Sequence, residues 1–298
     1  MKKIVIFGGG SGLSQLLKGI KLFPVDITAV VSVADNGKST GILRRELNIP
    51  AVGDISKVML SMADTNQDVI DLMNYRFTKS KSLGIHSVKN LLLTALLDLK
   101  GNFASALPVM EKILDVKGTV IPLTEDNVNL IGVTNDGKEI RGEEQLTKCA
   151  KKIVEVKYDK KININPKVIK AVNEADLIIF SSGSLLTSII PHLIDKDLVD
   201  IINKSKGEKV YVCNLFTQPG ETDGFTVKDH LDYLEKYLGK NKLDVVIANN
   251  AIMSSKLASK YSNEEQKDPV LLDMHELDND NIYVISDKLF TIEDGVYR

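Results

Sequence analysis

The stretch Lys3–Phe7 reads KIVIF, runs straight into GGGSGLS, and is followed by Leu13, Leu16, Leu17 and Ile20 at helical spacing. A short, continuously apolar, β-branched run is the pattern of a strand buried on both faces, which is how parallel strands sit. Parallel strands need a crossover connection, most often a helix. Ile27–Val33 (ITAVVSV) supplies the next buried strand, so the first fifty residues form a β-loop-α-β unit.

The pattern recurs. DLIIF (176–180), KVYVCNL (209–215) and LDVVIA (243–248) read as further buried strands, while Val88–Leu99, Ala104–Val116, Pro166–Ala175 and Thr226–Leu238 carry helical spacing. Residues 120–142 change character: an Asp136-Gly137 turn between two strand-like runs predicts a β-hairpin, with IVEVK (153–157) as its extension. The last forty residues are more polar and irregular. The expectation is a single α/β domain over 1–298, a mostly parallel sheet with helices on both faces, and a small antiparallel β-hairpin insertion at about 119–158. Its ligand cleft should lie at the carboxyl ends of the strands.

Composition narrows the function classes. The 38 basic and 40 acidic residues nearly cancel, and only five of the basic ones are arginine, so no polyanion-binding signature exists and no nucleic-acid partner is expected. Cys149 and Cys213 lack metal-ligand spacing and read as small buried residues in a reducing compartment. The four-residue apolar run IVIF at the start is too short for a secretory signal, and no stretch has the length of a membrane span. A soluble, cytoplasmic protein follows.

Four loops carry candidate chemistry. Gly9, Gly10, Ser11 and Gly12 open a helix directly after a buried strand, where free amides and the helix dipole favour an anion; a packing turn is the alternative. GKST (37–40) imitates a P-loop, but G-x-x-x-x-G-K-[ST] requires glycine at the position of Ser32. The loop around it offers Asp35, Asn36, Lys38, Ser39 and Thr40. Asp35 suits Mg²⁺ beside phosphates or, equally, an Asx-turn. Asp54 reads as a second carboxylate or a helix N-cap. Ser181–Ser188 (SSGSLLTS) repeats the strand-glycine-hydroxyl-helix pattern and nominates Gly183 and Ser184, while FTQPGET (216–222) adds Thr217 and Gln218 as a turn or a cleft wall. His86 opens a helix and either caps it or meets ligand; His192, His230 and His275 read as packing or surface residues.

In order and spacing, FGGGSGLSQLLKGIKLFPVDITAVVSVADNG, GDIS, NYRF, HSVKNLLL, ADLIIFSSGSLLTSIIPHL and KVYVCNLFTQPGET resemble the CofD-like family, specifically its gluconeogenesis-factor (YvcK-type) branch. The resemblance implies a Rossmann-like sheet, a cytoplasmic location and a homodimer. Its namesake enzymes are Mg²⁺-dependent phospholactate transferases. The branch is linked instead to UDP-sugar binding and to carbon metabolism, cell shape and envelope synthesis, which implies a nucleotide-sugar-binding regulatory protein; a Mg-dependent transferase of a phosphorylated metabolite is the alternative. The implied ligand-binding set gains Arg44, Asn90 and Asn214, with Asp35 and Asp54 as the metal pair. A further C-terminal helix is implied beyond Arg298.

This chain departs from the family pattern where charge matters. DDGGSSGRLR is usual at the second loop, so Asn36, Lys38 and Ile42 replace Asp, Gly and Arg. GDIRN has become Gly53-Asp54-Ile55-Ser56-Lys57, HSLGN carries Lys89 in place of Gly, and GPGSLYTS carries Ser181, Ser182 and Leu186. Two guanidinium forks are lost, while lysines at 38 and 57 restore point charges.

Overall fold

In the computed structural model, which describes residues 1–149, 151–277, 281–293 and 296–297, the predicted strand-helix alternation forms a seven-stranded, all-parallel sheet. In chain order the elements are β1 (Lys3–Gly8), α1 (Gly10–Ile20), β2 (Asp26–Val31), α2 (Lys38–Leu47), α3 (Gly53–Met62), α4 (Gln67–Asn74), α5 (Val88–Lys100), α6 (Phe103–Leu114) and β3 (Thr119–Pro122). A small antiparallel sheet follows, built from β4 (Leu130–Thr134), β5 (Glu139–Arg141) and β6 (Ile153–Tyr158), with the short helix α7 (Glu143–Thr147) between the last two. The chain returns through α8 (Pro166–Glu174) to β7 (Leu177–Phe180), α9 (Lys196–Lys204), β8 (Glu208–Val212), α10 (Val227–Leu238), β9 (Val245–Asn249), α11 (Ser255–Glu265), α12 (Met274–Leu277) and β10 (Tyr283–Asp287).

The strand order β10-β9-β8-β7-β1-β2-β3 places the first strand in the interior of the sheet. The chain builds outward from β1 through β2 to β3, then returns to the other side of β1 at β7 and builds outward again. The direction of winding therefore reverses between β1 and β7, and right-handed crossovers put the helices of the two halves on opposite faces. A crevice opens at such a reversal, because the loops leaving the two adjacent strands diverge. Register is held across it by Phe7 opposite Phe180, whose rings stack at 5.6 Å. Ile6, Phe7, Val30, Val31, Ile178 and Phe180 are wholly buried, as a sheet covered on both faces requires.

Three details differ from the sequence expectation. Residues 119–122 pair in parallel with β2, so the antiparallel segment begins at Leu130 and not near 119. Tyr283–Asp287, within the polar tail, is an edge strand parallel to β9. Its alternating, largely exposed side chains suit an edge and hide it from an apolar-run criterion. The helix-like run after Ser184 is a wide π-type turn over Leu185–Ile189 followed by a tight turn over Ile190–Leu193. The Asp136-Gly137 turn forms as read, with Gly137 at φ +81 and the Thr134 hydroxyl donating to Asp136 at 2.6 Å. Cys149 and Cys213 are free and buried. Among the described residues no helix is long and apolar enough to cross a membrane.

Candidate functional site

Three helices, α1, α2 and α3, begin close together at the carboxyl ends of β1 and β2, and none is capped by the side chain of its own N-cap residue. The N–H groups and aligned dipoles of these helix starts create a positively biased bowl. The protein lines it with its own acids. Asp35 follows β2 and accepts the Gly37 amide on one carboxylate oxygen and the Thr40 hydroxyl on the other, both at 2.7 Å. Asp54, in the first turn of α3, reaches across to α1, where it accepts the Gly10 amide. Burial, and then the neighbouring Asp35 charge, push the Asp54 carboxyl up to about 7 against the opposing pull of Lys57 and the Gly10 N–H.

The glycines of the first loop are required by these approaches. A Cβ on Gly9 would stand 2.8 Å from the Asp54 carboxylate, and one on Gly12 would stand 2.0 Å from the Ser182 carbonyl. Gly10 adopts φ +58, in the left-handed region. The loops after β1 and β7 are thus in van der Waals contact at the floor of the crevice. His192 is buried beneath them; because the Gly8 carbonyl can only accept, the imidazole Nε2 at 3.1 Å carries the proton. Burial lowers the His192 pKa to about 4, so the ring stays neutral.

The second half of the site was less visible in the sequence. Asn36 anchors α7, accepting the Glu144 amide at 2.9 Å and donating to Gln145 at 3.3 Å; Gly142 passes so close that a Cβ would lie 2.4 Å from the Asn36 amide nitrogen. This clamp delivers Glu143 into the crevice, where Thr187 meets it at 3.2 Å. Thr187 meets Ser184 at 2.6 Å, and Ser184 meets Glu221 at 2.5 Å. Two hydroxyl protons cannot serve three contacts, so a carboxyl proton completes the chain. The electrostatics agree. Burial raises Glu143 well above the carboxylate range, aided by Asp54 and Asp35, and raises Glu221 to about 7. Glu221 also accepts the Leu186 amide at 3.3 Å and the Gln218 side-chain amide at 2.8 Å.

The other sequence-selected residues fall into supporting roles around this bowl. Ser39 meets His86 at 3.0 Å and accepts from Asn90 at 3.0 Å, and Asn90 accepts from Ser56 at 2.7 Å, so one polar chain ties α2, α3 and α5 together. The buried Arg44 guanidinium donates to the Ala34, Asp35 and Val128 carbonyls and to Asn127 and Asn129, which locks the second loop to the entry of β4. Asn214 exchanges two 2.7 Å bonds with the Gly183 backbone. Thr217 is tied to Asp268, and the Gln218 amide donates to Thr222. Lys38 is exposed at the start of α2, and Lys57 donates to Ser11 at 2.5 Å. Sequence reasoning missed Glu143 and Thr187 as members of the site. Glu143 follows a hairpin and carries no local signal; only the Asn36 clamp places it.

The family description 2-phospho-L-lactate transferase CofD matches residues 4–290. The chain belongs to the CofD family. Within the family it is similar to the Bacillus subtilis gluconeogenesis factor, 40% identical with 99% of this chain and 93% of that protein covered. It is likewise similar to the Halalkalibacterium halodurans gluconeogenesis factor, 38% identical over 100% of this chain and 92% of the other. A crystal structure of a Bacillus halodurans protein superposes with a TM-score of 0.96 at 38% identity, covering 100% of this chain and 96% of that one. The Rossmann-like fold is therefore shared across the whole CofD chain.

CofD resemblance implies Mg²⁺, and the donor set can be weighed against that ion. Among the described residues, no group of three or more His, Cys, Asp or Glu could hold a metal alone. Asp35 nonetheless packs against Gly53, the residue before Asp54, its charge helps raise the Asp54 carboxyl, and each oxygen of Asp35 keeps a second lone pair beyond its one hydrogen bond. That fits Mg²⁺, which takes one or two carboxylates and draws its remaining oxygens from water and substrate phosphate.

Proposed function

We propose that this CofD-family chain binds a nucleotide sugar, a UDP-sugar, in the crevice between the loops after β1 and β7. Binding, not turnover, is its output: a cytoplasmic, homodimeric regulator of carbon metabolism, cell shape and envelope synthesis. The observation that carries the reading is the meeting of two strand-glycine-helix loops at the reversal of the sheet, Gly12 against Ser182. A diphosphate suits such a place, where backbone amides from several helix starts face one small volume.

Regulation is favoured over catalysis because the hydroxyls and acids that a transferase would use are engaged with each other. Ser39, His86 and Asn90 brace helices, and Ser184 and Thr187 bridge Glu143 to Glu221. Isothermal calorimetry with UDP-N-acetylglucosamine tests the proposal. Saturable heat is expected; silence at millimolar ligand while other nucleotides bind would overturn it.

The Asp35–Asp54 pair supports one alternative, transfer of a phosphorylated metabolite's group. Asp35 and Asp54 would hold Mg²⁺, which supplies charge neutralisation at the phosphate oxygens. The remaining residues would orient the ligand and exclude water. If Asp54→Asn leaves every assayed transfer activity intact, that alternative loses its mechanism.

A further inference from the structure

Away from the crevice, an open cavity of about 380 Å³ lies between the end of β6 and the start of α9. None of the glycines or acids of the crevice lines it. Its bottom is apolar: Ile162 and Tyr158 are buried, and Ile194 is half-buried beside them. The Tyr158 hydroxyl donates to the Pro191 carbonyl at 3.1 Å, which fixes the ring in place.

The rim is basic. Lys157, Lys160 and Lys161 come from β6 and the turn after it, and Lys196 opens α9 on the facing wall. Most of the acids nearby are already engaged. Glu139 pairs with Lys157 at 2.6 Å. Asp195 caps its own helix, accepting the Leu198 amide at 2.9 Å, a position where the helix dipole offsets its charge. Asp159 and Asp126, both within electrostatic reach of Lys160, accept the backbone amides of Asn129 at 3.1 Å and Asn163 at 2.7 Å. Those bonds also pin the lysine-bearing turn at both ends. Lys160, Lys161 and Lys196 therefore remain against one carboxylate of the lining, Asp197. None of the three makes an ion pair among the described residues.

We propose that this cavity is a second ligand site, for a small organic phosphate. Its phosphoryl head would sit at Lys160, Lys161 and Lys196, and its apolar body on Ile162, Ile194 and Tyr158. The volume is that of a small-molecule site, and an apolar floor under a few charged groups is the usual lining of one. Three ammonium groups suit a doubly charged phosphoryl better than a single carboxylate. The site goes beyond the nucleotide-sugar reading and does not rest on it.

Calorimetry on the full chain with phenyl phosphate and inorganic phosphate tests the site. Phenyl phosphate should bind saturably and more tightly than inorganic phosphate. Lys160→Gln/Lys161→Gln/Lys196→Gln should weaken it at least about tenfold. Lys18→Gln/Lys112→Gln/Lys204→Gln, which removes the same charge from three scattered exposed positions, should stay close to wild type. Amide exchange on the wild type should show protection by phenyl phosphate over residues 157–162 and 194–198. No saturable binding at millimolar probe, undiminished binding by the first variant, or equal loss in both variants overturns the site. Protection confined to residues 9–12 and 182–184 overturns it too, because the probe then lies in the crevice. Equal affinity for the two probes overturns the role of the apolar floor.

Discussion

Glu221 and Ser184 meet at 2.5 Å, so that an acid from the loop after β8 fills the ground an external anion would take on the loop after β7. The anion-favouring start of the 185–189 turn is thereby occupied from within. Its occupant is a carboxyl that burial has pushed up to about 7, and the Glu143–Thr187–Ser184–Glu221 chain needs that carboxyl proton, or the one on Glu143, to complete its contacts.

Stability should therefore fall as pH rises from about 4.5 to about 7. The folded Glu221 binds its proton more tightly than the ordinary carboxylate value of 4.5. The native state thus holds more protons than the unfolded state between those values, and the contribution is present at low pH and lost above the folded pKa. The shift corresponds to roughly 3 kcal/mol. Glu221→Gln, an always-neutral isostere, should flatten the decline in chemical denaturation midpoint between pH 4.5 and pH 7; an unchanged slope would contradict the assignment.

His192 works in the opposite direction. Its folded pKa of about 4 lies below the model-peptide value of 6.5, so its contribution is complete above pH 6.5 and disappears as pH falls toward 4. His192→Leu should cost on the order of 1–3 kcal/mol at neutral pH, because the buried Gly8 carbonyl loses its imidazole donor. The same variant should unfold less steeply on acidification, which a pH series of thermal melts will show.

Gly12 and Gly19 belong to the same helix and should respond with opposite signs. A Cβ at Gly12 collides with the Ser182 backbone at 2.0 Å, whereas nothing lies within 4 Å of one at Gly19. Gly19→Ala should stabilise by about 0.5–1 kcal/mol through helix propensity. Gly12→Ala should destabilise by more than about 1 kcal/mol and weaken nucleotide-sugar binding, read in parallel by urea denaturation and calorimetry.

Arg44→Lys is not a conservative change in this fold. The guanidinium spans three carbonyls and two asparagines, a spread that one ammonium cannot serve. Leaving buried acceptors unpaired should cost about 1–3 kcal/mol. It should also loosen the Asp35 loop, visible as faster amide exchange over residues 34–37.

Lys3–Phe7, the glycines after it, Ile27–Val33 and Asp176–Phe180 announced the sheet because burial on both faces writes continuous apolar runs into a chain. The same logic made GKST legible as an imitation, since Ser32 is a buried residue at the end of β2 and not a turn glycine. Edge strand β10 escaped because one exposed face erases such a run. The site divided along the same line. Loops that follow buried strands carry a local signature of glycine and hydroxyl, which is why the sequence nominates Gly9–Gly12, Asp35 and Ser184 as candidates. Glu143 enters only through its distant clamp on Asn36, and Lys89 reaches Asn74 only because α4 and α5 pack together. Local spacing records which face a residue buries; a hydrogen bond across more than a hundred residues is set by packing. Only the tertiary structure could therefore decide that the bowl between α1, α2 and α3 is lined by the protein's own acids.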